Sequence, residues 1–177
     1  MTEIGTFEAA LRARREAGQK CLVPYLTGGL GDDWLETIHA VADAGADAIE
    51  IGIPFSDPVM DGPVIQEAND LALGQGATPQ SILSAVRQAG IEIPLAVMTY
   101  YNIAFRMGDH RFAAALADAG ISGAILPDMP LEESGPWAAA ADENGVETIM
   151  LAAPTAPDER LPLVLSLIHI SEPTRPY

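Results

Sequence analysis

Two acidic residues, Glu50 and Asp61, have surroundings that suit acid–base chemistry. Glu50 lies within Ala48 to Ile53, an apolar run rich in β-branched residues that Pro54 closes. Such a run predicts a strand that is buried on both faces. Burying even an unpaired neutral polar group costs roughly 2–7 kcal/mol, and a charge costs more. We therefore interpret Glu50 as a functional residue. The alternative interpretation is that Glu50 forms an ion pair with a buried arginine or lysine.

The neighbours of Glu50 support the functional interpretation. Alternation along a strand places Ala48 and Gly52 on the same face as Glu50. Both residues are small, so they leave room beside the carboxylate that a ligand would need. The opposite face carries Ile49, Ile51 and Ile53.

Asp61 supplies a second carboxylate after the strand. Ser56-Asp57-Pro58 predicts a turn, and Asp61-Gly62-Pro63 then predicts the start of a helix with Asp61 as its N-cap. In α/β folds, chemistry is found at the carboxyl ends of parallel strands. Two carboxylates there, one buried and one near solvent, can have separate pKa values and divide acid and base work. Both roles of Asp61, helix cap and reactive group, stay open.

The surrounding elements must form the sheet that positions these groups. We predict strands at 21–27, 48–53, 95–100, 123–126 and 147–151. We predict helices at 6–18, from 32 or 33, 64–73, from 78, 110–119, 131–144 and from 157. Strands that alternate with helices indicate a parallel sheet with right-handed crossovers. A five-stranded doubly wound sheet and a shortened (β/α)₈ barrel both fit, since a complete barrel takes about 250 residues.

Composition narrows the function classes. The chain has 177 residues and a net charge of −16, which disfavours nucleic acid as a partner. Cys21 is the single cysteine, expected as a small core residue, so we expect no disulfide framework and no metal site. No segment resembles a signal peptide or a membrane span, and we expect the protein to be cytoplasmic.

Residues 50 to 63 resemble the signature of the tryptophan synthase alpha chain family throughout its length. Further similar segments are Leu22–Thr27, Met98–Asn102, Pro127–Ser134 and Ala153-Pro154, so the resemblance runs from about residue 20 to 162. It implies an α/β fold, a (β/α)₈ TIM barrel truncated after about five strand–helix units, in a domain at 1–165.

Residues 166–177 resemble nothing in that family and carry no helical stripe. We expect a tail that is not native to the domain. Barrel strands six to eight, with the glycine-rich loops that bind substrate phosphate in the family, would then be absent. Open strand edges favour aggregation, so we expect poor solubility or partial folding. Without a phosphate-binding site in this acidic chain, we also expect weak substrate affinity.

The resemblance implies a lyase of tryptophan biosynthesis. This family cleaves indole-3-glycerol phosphate to indole and glyceraldehyde 3-phosphate by an aldol-type reaction, without a metal or an organic cofactor. Glu50 matches its acid–base glutamate and Asp61 its second carboxylate, while Leu22, Tyr100 and Ile125 match positions that line the indole pocket.

The resemblance also implies a partner. The family works as an α2β2 complex with a beta chain, which carries pyridoxal phosphate and receives the indole. Asp57, Pro58, Asn102 and Pro130 match the face that meets this beta chain. Two alternatives remain open: an inactive barrel fragment that at most binds the beta chain, or another phosphate-binding barrel enzyme.

Overall fold

The computed structural model describes residues 4–152, residue 159 and the backbone of residues 170–171. The predicted helix from residue 157, the Ala153-Pro154 motif and most of the predicted tail therefore lie outside the described residues.

The described residues form helices and short parallel strands in alternation. The α-helices are α1 Thr6–Glu16, α2 Trp34–Asp43, α3 Pro63–Gly74, α4 Pro79–Ala89, α5 Tyr101–Met107, α6 Asp109–Asp118 and α7 Gly135–Glu143, and a 3-10 helix spans Leu131–Glu133. The strands are β1 Tyr25–Thr27, β2 Ile49–Gly52, β3 Leu95–Met98, β4 Gly123–Ile125, β5 Glu147–Leu151 and β6 Ile170–Ser171. Within these residues no helix is long and apolar enough to cross a membrane.

The strand order separates the two α/β folds that the sequence allows. The strands pair in parallel in the order β1-β2-β3-β4-β5-β6, so each strand lies beside its successor. A doubly wound sheet reverses direction at a switch point, which places helices on both faces. Right-handed crossovers that never reverse place the helices on one face, as in a barrel wall. The predicted parallel α/β sheet is confirmed, and its order is that of a barrel.

The two faces of the sheet carry separate apolar clusters. The outer face packs Ile49, Ile51 and Ile53 beneath the helices, together with the fully buried rings of Phe112 and Trp137. The inner face carries a smaller cluster of Phe7, Ala48, Ala96, Ile125 and Ile149. The predicted alternation along β2 is therefore confirmed, and Glu50 belongs to the inner face.

Helix α1 is attached to the inner face by a buried carboxylate. Glu147 of β5 is 5% exposed and accepts hydrogen bonds from the backbone N–H groups of Phe7 at 2.7 Å and Glu8 at 2.8 Å. Helix N-termini favour negative charge because their first N–H groups have no partner within the helix. A Cβ on Gly5, the N-cap, would lie 2.0 Å from Glu147 Oε1, so a larger residue there would displace the carboxylate from its hydrogen bonds.

We expect Glu147→Ala to lower the free energy of unfolding by about 1.5–3 kcal/mol, because two charge-assisted hydrogen bonds are lost. Urea unfolding of the whole chain measures the change. Glu143→Ala is the matched control, since the Glu143 carboxylate is exposed and lies 3.7 Å from His110. Equal midpoints for the parent and Glu147→Ala would contradict this role.

Prolines explain two differences from the predicted elements. The first strand begins at Tyr25 rather than Cys21, directly after Pro24, which has no N–H to donate. Cys21 is consequently exposed, and its expected place in the core is wrong. The predicted helix at 131–144 divides into the 3-10 turn and α7, which begins with Gly135 and Pro136 because proline favours a first-turn position.

Two further elements were not predicted. Helix α5 follows β3 directly, and Gly108, with φ of 90°, separates it from α6. Within the predicted tail, Ile170–Ser171 pairs in parallel with Met150 and Leu151 of β5.

Candidate active site

Glu50 stands in the middle of β2 on the inner face of the sheet. It lies in register between Tyr25 of β1 and Ala96 of β3. Burial raises the pKa of Glu50 to about 7, and the negative charge of Asp61 adds to the increase. No arginine or lysine among the described residues forms an ion pair with Glu50, so the buried ion-pair alternative is wrong.

Asp61 is held by a tyrosine hydroxyl and does not cap a helix. Tyr100 Oη donates to Asp61 Oδ2 at 3.1 Å. The N-cap of α3 is Gly62, with no side-chain hydrogen bond, so the predicted capping role of Asp61 is wrong. Burial raises the pKa of Asp61, and the hydrogen bond from Tyr100 opposes that increase. Asp61 thus faces the site with a fixed orientation.

Tyr100 organises the loop that carries Asp61. Its hydroxyl accepts the backbone N–H of Met60 at 2.8 Å while it donates to Asp61. Its ring stacks on Phe55 with centroids 4.9 Å apart, and the residue is 4% exposed. The β2–α3 loop is therefore fastened to the end of β3, which holds Asp61 where its charge acts on Glu50.

Tyr25 is a site residue that sequence reasoning did not single out. It is the direct neighbour of Glu50 in the sheet, and parallel neighbours in register point to the same face. Burial raises the pKa of Tyr25 to about 12, opposed by a hydrogen bond with Thr27 and increased further by Asp61 and Glu50. The phenol stays protonated at neutral pH and can act as a donor. Its place in the Leu22–Thr27 motif was the available indication.

Tyr25 also occupies the space beside Gly52. A Cβ on Gly52 would lie 1.9 Å from Tyr25 Oη and 2.5 Å from its Cζ. We expected Gly52 to leave space for a ligand beside Glu50. That expectation is wrong, because the Tyr25 ring fills the space beside Gly52.

We expect Gly52→Ala to destabilise the chain by about 1–3 kcal/mol, since the added methyl group must displace the Tyr25 ring. Gly62→Ala is the control, because a Cβ at Gly62 meets nothing within 4 Å. Thermal unfolding measures both, and adding Tyr25→Leu should relieve part of the Gly52→Ala loss. Equal stability of the two alanine variants would count against this contact.

Of the predicted pocket residues, the structure brings Tyr100 and Ile125 to the site but not Leu22. Ile125 is 4% exposed on the inner face, level with Met98 and Gly52. Leu22 is 60% exposed and precedes β1. Its carbonyl oxygen accepts the backbone N–H of Asp47, and its own N–H donates to Asp47 Oδ2 at 2.8 Å. The prediction for Leu22 is wrong because the residue level with Glu50 is Tyr25, three positions further along the chain.

The residues predicted to meet a partner differ in exposure. Asp57, Asn102 and Pro130 are exposed, whereas Pro58 is buried. Pro58 therefore shapes the β2–α3 loop from within and offers no surface of its own.

Exposed apolar side chains lie in the β2–α3 loop and on α5. Val59 is 81% exposed, Met60 61% and Phe105 of α5 68%. Asp128, after β4, accepts the backbone N–H of Tyr101 at 2.8 Å and so fixes the start of α5. Asp128 thus supplies a side-chain acceptor for the first turn of α5 from the loop after β4.

The arrangement suits proton transfer by a carboxyl group. A half-buried carboxyl with a pKa near neutrality can both donate and accept a proton. Among the described residues there is no group of three or more histidine, cysteine, aspartate or glutamate side chains that could hold a metal ion.

Comparison with known sequences identifies the family. A family model described as tryptophan synthase alpha chain matches residues 11–169, further at both ends than the motifs quoted above. The alpha chain of Streptomyces avermitilis is 44% identical over 155 residues, which cover 85% of this chain and 56% of the relative. That of Burkholderia thailandensis is 43% identical over 169 residues, with 93% and 61% covered. The chain thus spans about three-fifths of these curated relatives.

Solved structures agree in fold. Mycobacterium tuberculosis tryptophan synthase matches with a TM-score of 0.89 at 34% identity, covering 96% of this chain and 68% of that one. The alpha subunit from Legionella pneumophila matches with a TM-score of 0.86 at 33% identity, covering 92% and 64%. With the sequential parallel sheet and the carboxylate pair at its edge, these matches establish that the chain belongs to the tryptophan synthase alpha chain family.

Proposed function

We propose that this chain carries the acid–base residues of a lyase that cleaves indole-3-glycerol phosphate to indole and glyceraldehyde 3-phosphate in tryptophan biosynthesis. The observation that supports this most is the half-buried Glu50 carboxyl, with a pKa of about 7, beside the tethered Asp61. At neutral pH such a group is divided between its acid and base forms.

Glu50 would move the protons of the reaction. As an acid it protonates the indole ring carbon that bears the glycerol phosphate chain, and as a base it helps to remove the proton of the adjacent hydroxyl. The carbon–carbon bond then breaks, its electrons return to the indole ring, and the hydroxyl carbon becomes the aldehyde. One proton enters and one leaves, so no redox partner is required.

Asp61 would stabilise the charge that appears during this cleavage. Its carboxylate accepts a hydrogen bond from the indole N–H and opposes the positive charge that develops once the ring is protonated. Tyr100 holds Asp61 Oδ2 at 3.1 Å, so the acceptor is oriented before substrate binds. Tyr100 and Ile125 also offer apolar surface to the indole ring.

The proposed chemistry needs no organic cofactor in this chain. Pyridoxal phosphate is expected only on the beta chain, which would take the indole onward to tryptophan. We also propose the cytoplasm as its compartment, because a single exposed cysteine gives no disulfide framework.

The proposed partner is a tryptophan synthase beta chain in an α2β2 complex. The a2b2 complex from Pyrococcus furiosus is among the matching structures, with a TM-score of 0.79 at 38% identity. The contact would use Asp57, Asn102 and Pro130 around the exposed Val59 and Phe105. Apolar groups ringed by polar ones are typical of protein interfaces.

The domain division remains a proposal, with a partial barrel at 1–165 and a tail at 166–177. The chain spans 56–61% of its curated relatives, and the family's phosphate loops belong to strands beyond β5.

Indole release from indole-3-glycerol phosphate tests the function directly. The whole chain is assayed at saturating substrate, with and without a beta chain, and a parallel pull-down measures beta-chain binding. Indole release supports the lyase. Binding without release would instead support the non-catalytic fragment, and turnover of a different phosphate ester alone would support another barrel enzyme.

A further inference from the structure

Basic residues are placed very unevenly in this acidic chain. The chain has nine lysines and arginines in total and 25 aspartates and glutamates. Between residues 21 and 152 the only lysines or arginines are Arg87, Arg106 and Arg111. All three line one groove on the outer surface, formed by helices α4, α5 and α6.

The groove has the size and walls of a small-molecule site. Its volume is about 810 Å³, within the roughly 300–1,000 Å³ typical of ligand pockets. Apolar side chains form much of its wall, among them Leu83, Ile103, Met107 and Ala115. It lies between helices that follow one another in the chain, and it is separate from the carboxylates on the inner face.

Two of the three arginines are available to a ligand. Arg87 of α4 is paired with Asp118 of α6 at 2.6 Å across the groove. Arg106 and Arg111 form no ion pair with any described residue. Arg111 lies over Gly108, where a Cβ would be 3.6 Å from its Nε, so its guanidinium is near the α5–α6 turn that follows Arg106.

Helix-end stabilisation accounts for only part of this arrangement. Arg87 and Arg106 lie in the last turns of α4 and α5, where positive charge is favourable. Arg111 lies in the first half of α6, where the helix dipole disfavours a cation. The helix dipole therefore does not explain why these three charges share one apolar groove.

We propose that this groove binds a small organic anion that has an apolar body and one carboxylate or phosphate group. The anion would lie between Arg106 and Arg111, because guanidinium groups bind planar and tetrahedral oxyanions through paired hydrogen bonds. The apolar body would lie on Leu83 and Met107. The volume favours a small molecule over a protein segment.

Binding of anilinonaphthalene sulfonate, followed by its fluorescence, tests the proposal with a defined anionic probe. The uncharged N-phenyl-1-naphthylamine has the same aromatic body and is the neutral comparison. We expect the whole chain to bind the anionic probe at least about tenfold more tightly, which is the effect expected of charge-assisted hydrogen bonds. Arg106→Gln with Arg111→Gln should remove that difference, and Arg106→Lys alone should retain most of it.

Matched controls make the result decisive. Arg15→Gln with Lys20→Gln removes the same charge from an exposed region outside the groove and should leave the probe affinity within twofold. Circular dichroism confirms that each variant is folded. The proposal is overturned if the parent does not prefer the anion, or if the groove variant and the control lose affinity equally. It is also overturned if a hexaglutamate peptide binds more tightly than the probe and displaces it, since the groove would then suit an acidic protein segment.

Discussion

Replacing Glu50 with glutamine should lower the rate of indole release by about 10²–10⁴-fold, the contribution typical of a positioned acid or base. Glutamine keeps the size of the side chain but cannot exchange a proton at neutral pH. Glu50 lies on the inner face, in register between Tyr25 and Ala96. Because glutamine has the same size, the substitution keeps the contacts of the side chain with these neighbours. Steady-state indole release at saturating substrate, with a fixed amount of beta chain, measures the effect on kcat.

The control for this prediction is Glu36→Gln, which removes one carboxylate from the exposed surface of α2. Its kcat should stay within twofold of the parent. Far-ultraviolet circular dichroism establishes that both variants are folded. A Glu50→Gln variant with parental kcat would refute the acid–base role and would leave Asp61 as the only carboxylate of the pair with a role.

The same Glu50→Gln variant should be more stable than the parent at pH 8, by up to about 3 kcal/mol. Burial raises the pKa of Glu50 from 4.5 to about 7. Between these pH values the folded chain retains a proton that the unfolded chain has lost. The free energy of unfolding of the parent therefore falls as pH rises from about 4.5 to 7 and then levels off. Glutamine does not ionise, so the variant lacks this loss of stability.

Urea unfolding of the parent and of Glu50→Gln at pH 4.5 and at pH 8 measures this difference. The two proteins should have similar free energies of unfolding at pH 4.5 and separate by pH 8. Asp61→Asn should change stability in the same direction but by less, because Asp61 is more exposed and Tyr100 already stabilises its charged form. A gap that is equally large at both pH values would mean that packing, and not ionisation, separates the variants.

Taken together, the two predictions describe a residue that impairs stability and serves reactivity. Active sites commonly contain such groups, because a pKa suited to catalysis requires an environment that is unfavourable for the charge. A loss of turnover with a gain of stability in one variant would distinguish Glu50 from a purely structural carboxylate. Glu147 is the contrasting case, since two backbone N–H groups stabilise its buried charge.

The sequence by itself determined most of the elements and the main chemical pair. The predicted strand at 147–151 agrees with β5, and the others overlap β1 to β4, because burial and residue type act locally along a strand. Glu50 was identifiable because a carboxylate inside an apolar strand is costly in any fold. The long Glu50–Pro63 signature then indicated the family and, with it, Asp61.

Only the tertiary structure decided how these elements meet. The alternation of strands and helices fits a barrel and a doubly wound sheet equally, and only the resemblance implied the barrel. Strand order then showed the barrel arrangement directly. The register between β1 and β2 placed Tyr25, and not Leu22, beside Glu50. Register depends on hydrogen bonds between strands that are distant in sequence, and a shift of a few residues moves a side chain away from the site.

The same reason explains Asp61 and the arginine groove. Asp61 has the sequence context of an N-cap, yet the Tyr100 hydroxyl from the end of another strand determines its partner. Arg87, Arg106 and Arg111 are spread over three helices and lie in one groove only because those helices pack side by side. Local sequence preferences determine which segments form helices and strands, while contacts between distant segments determine which side chains share a site.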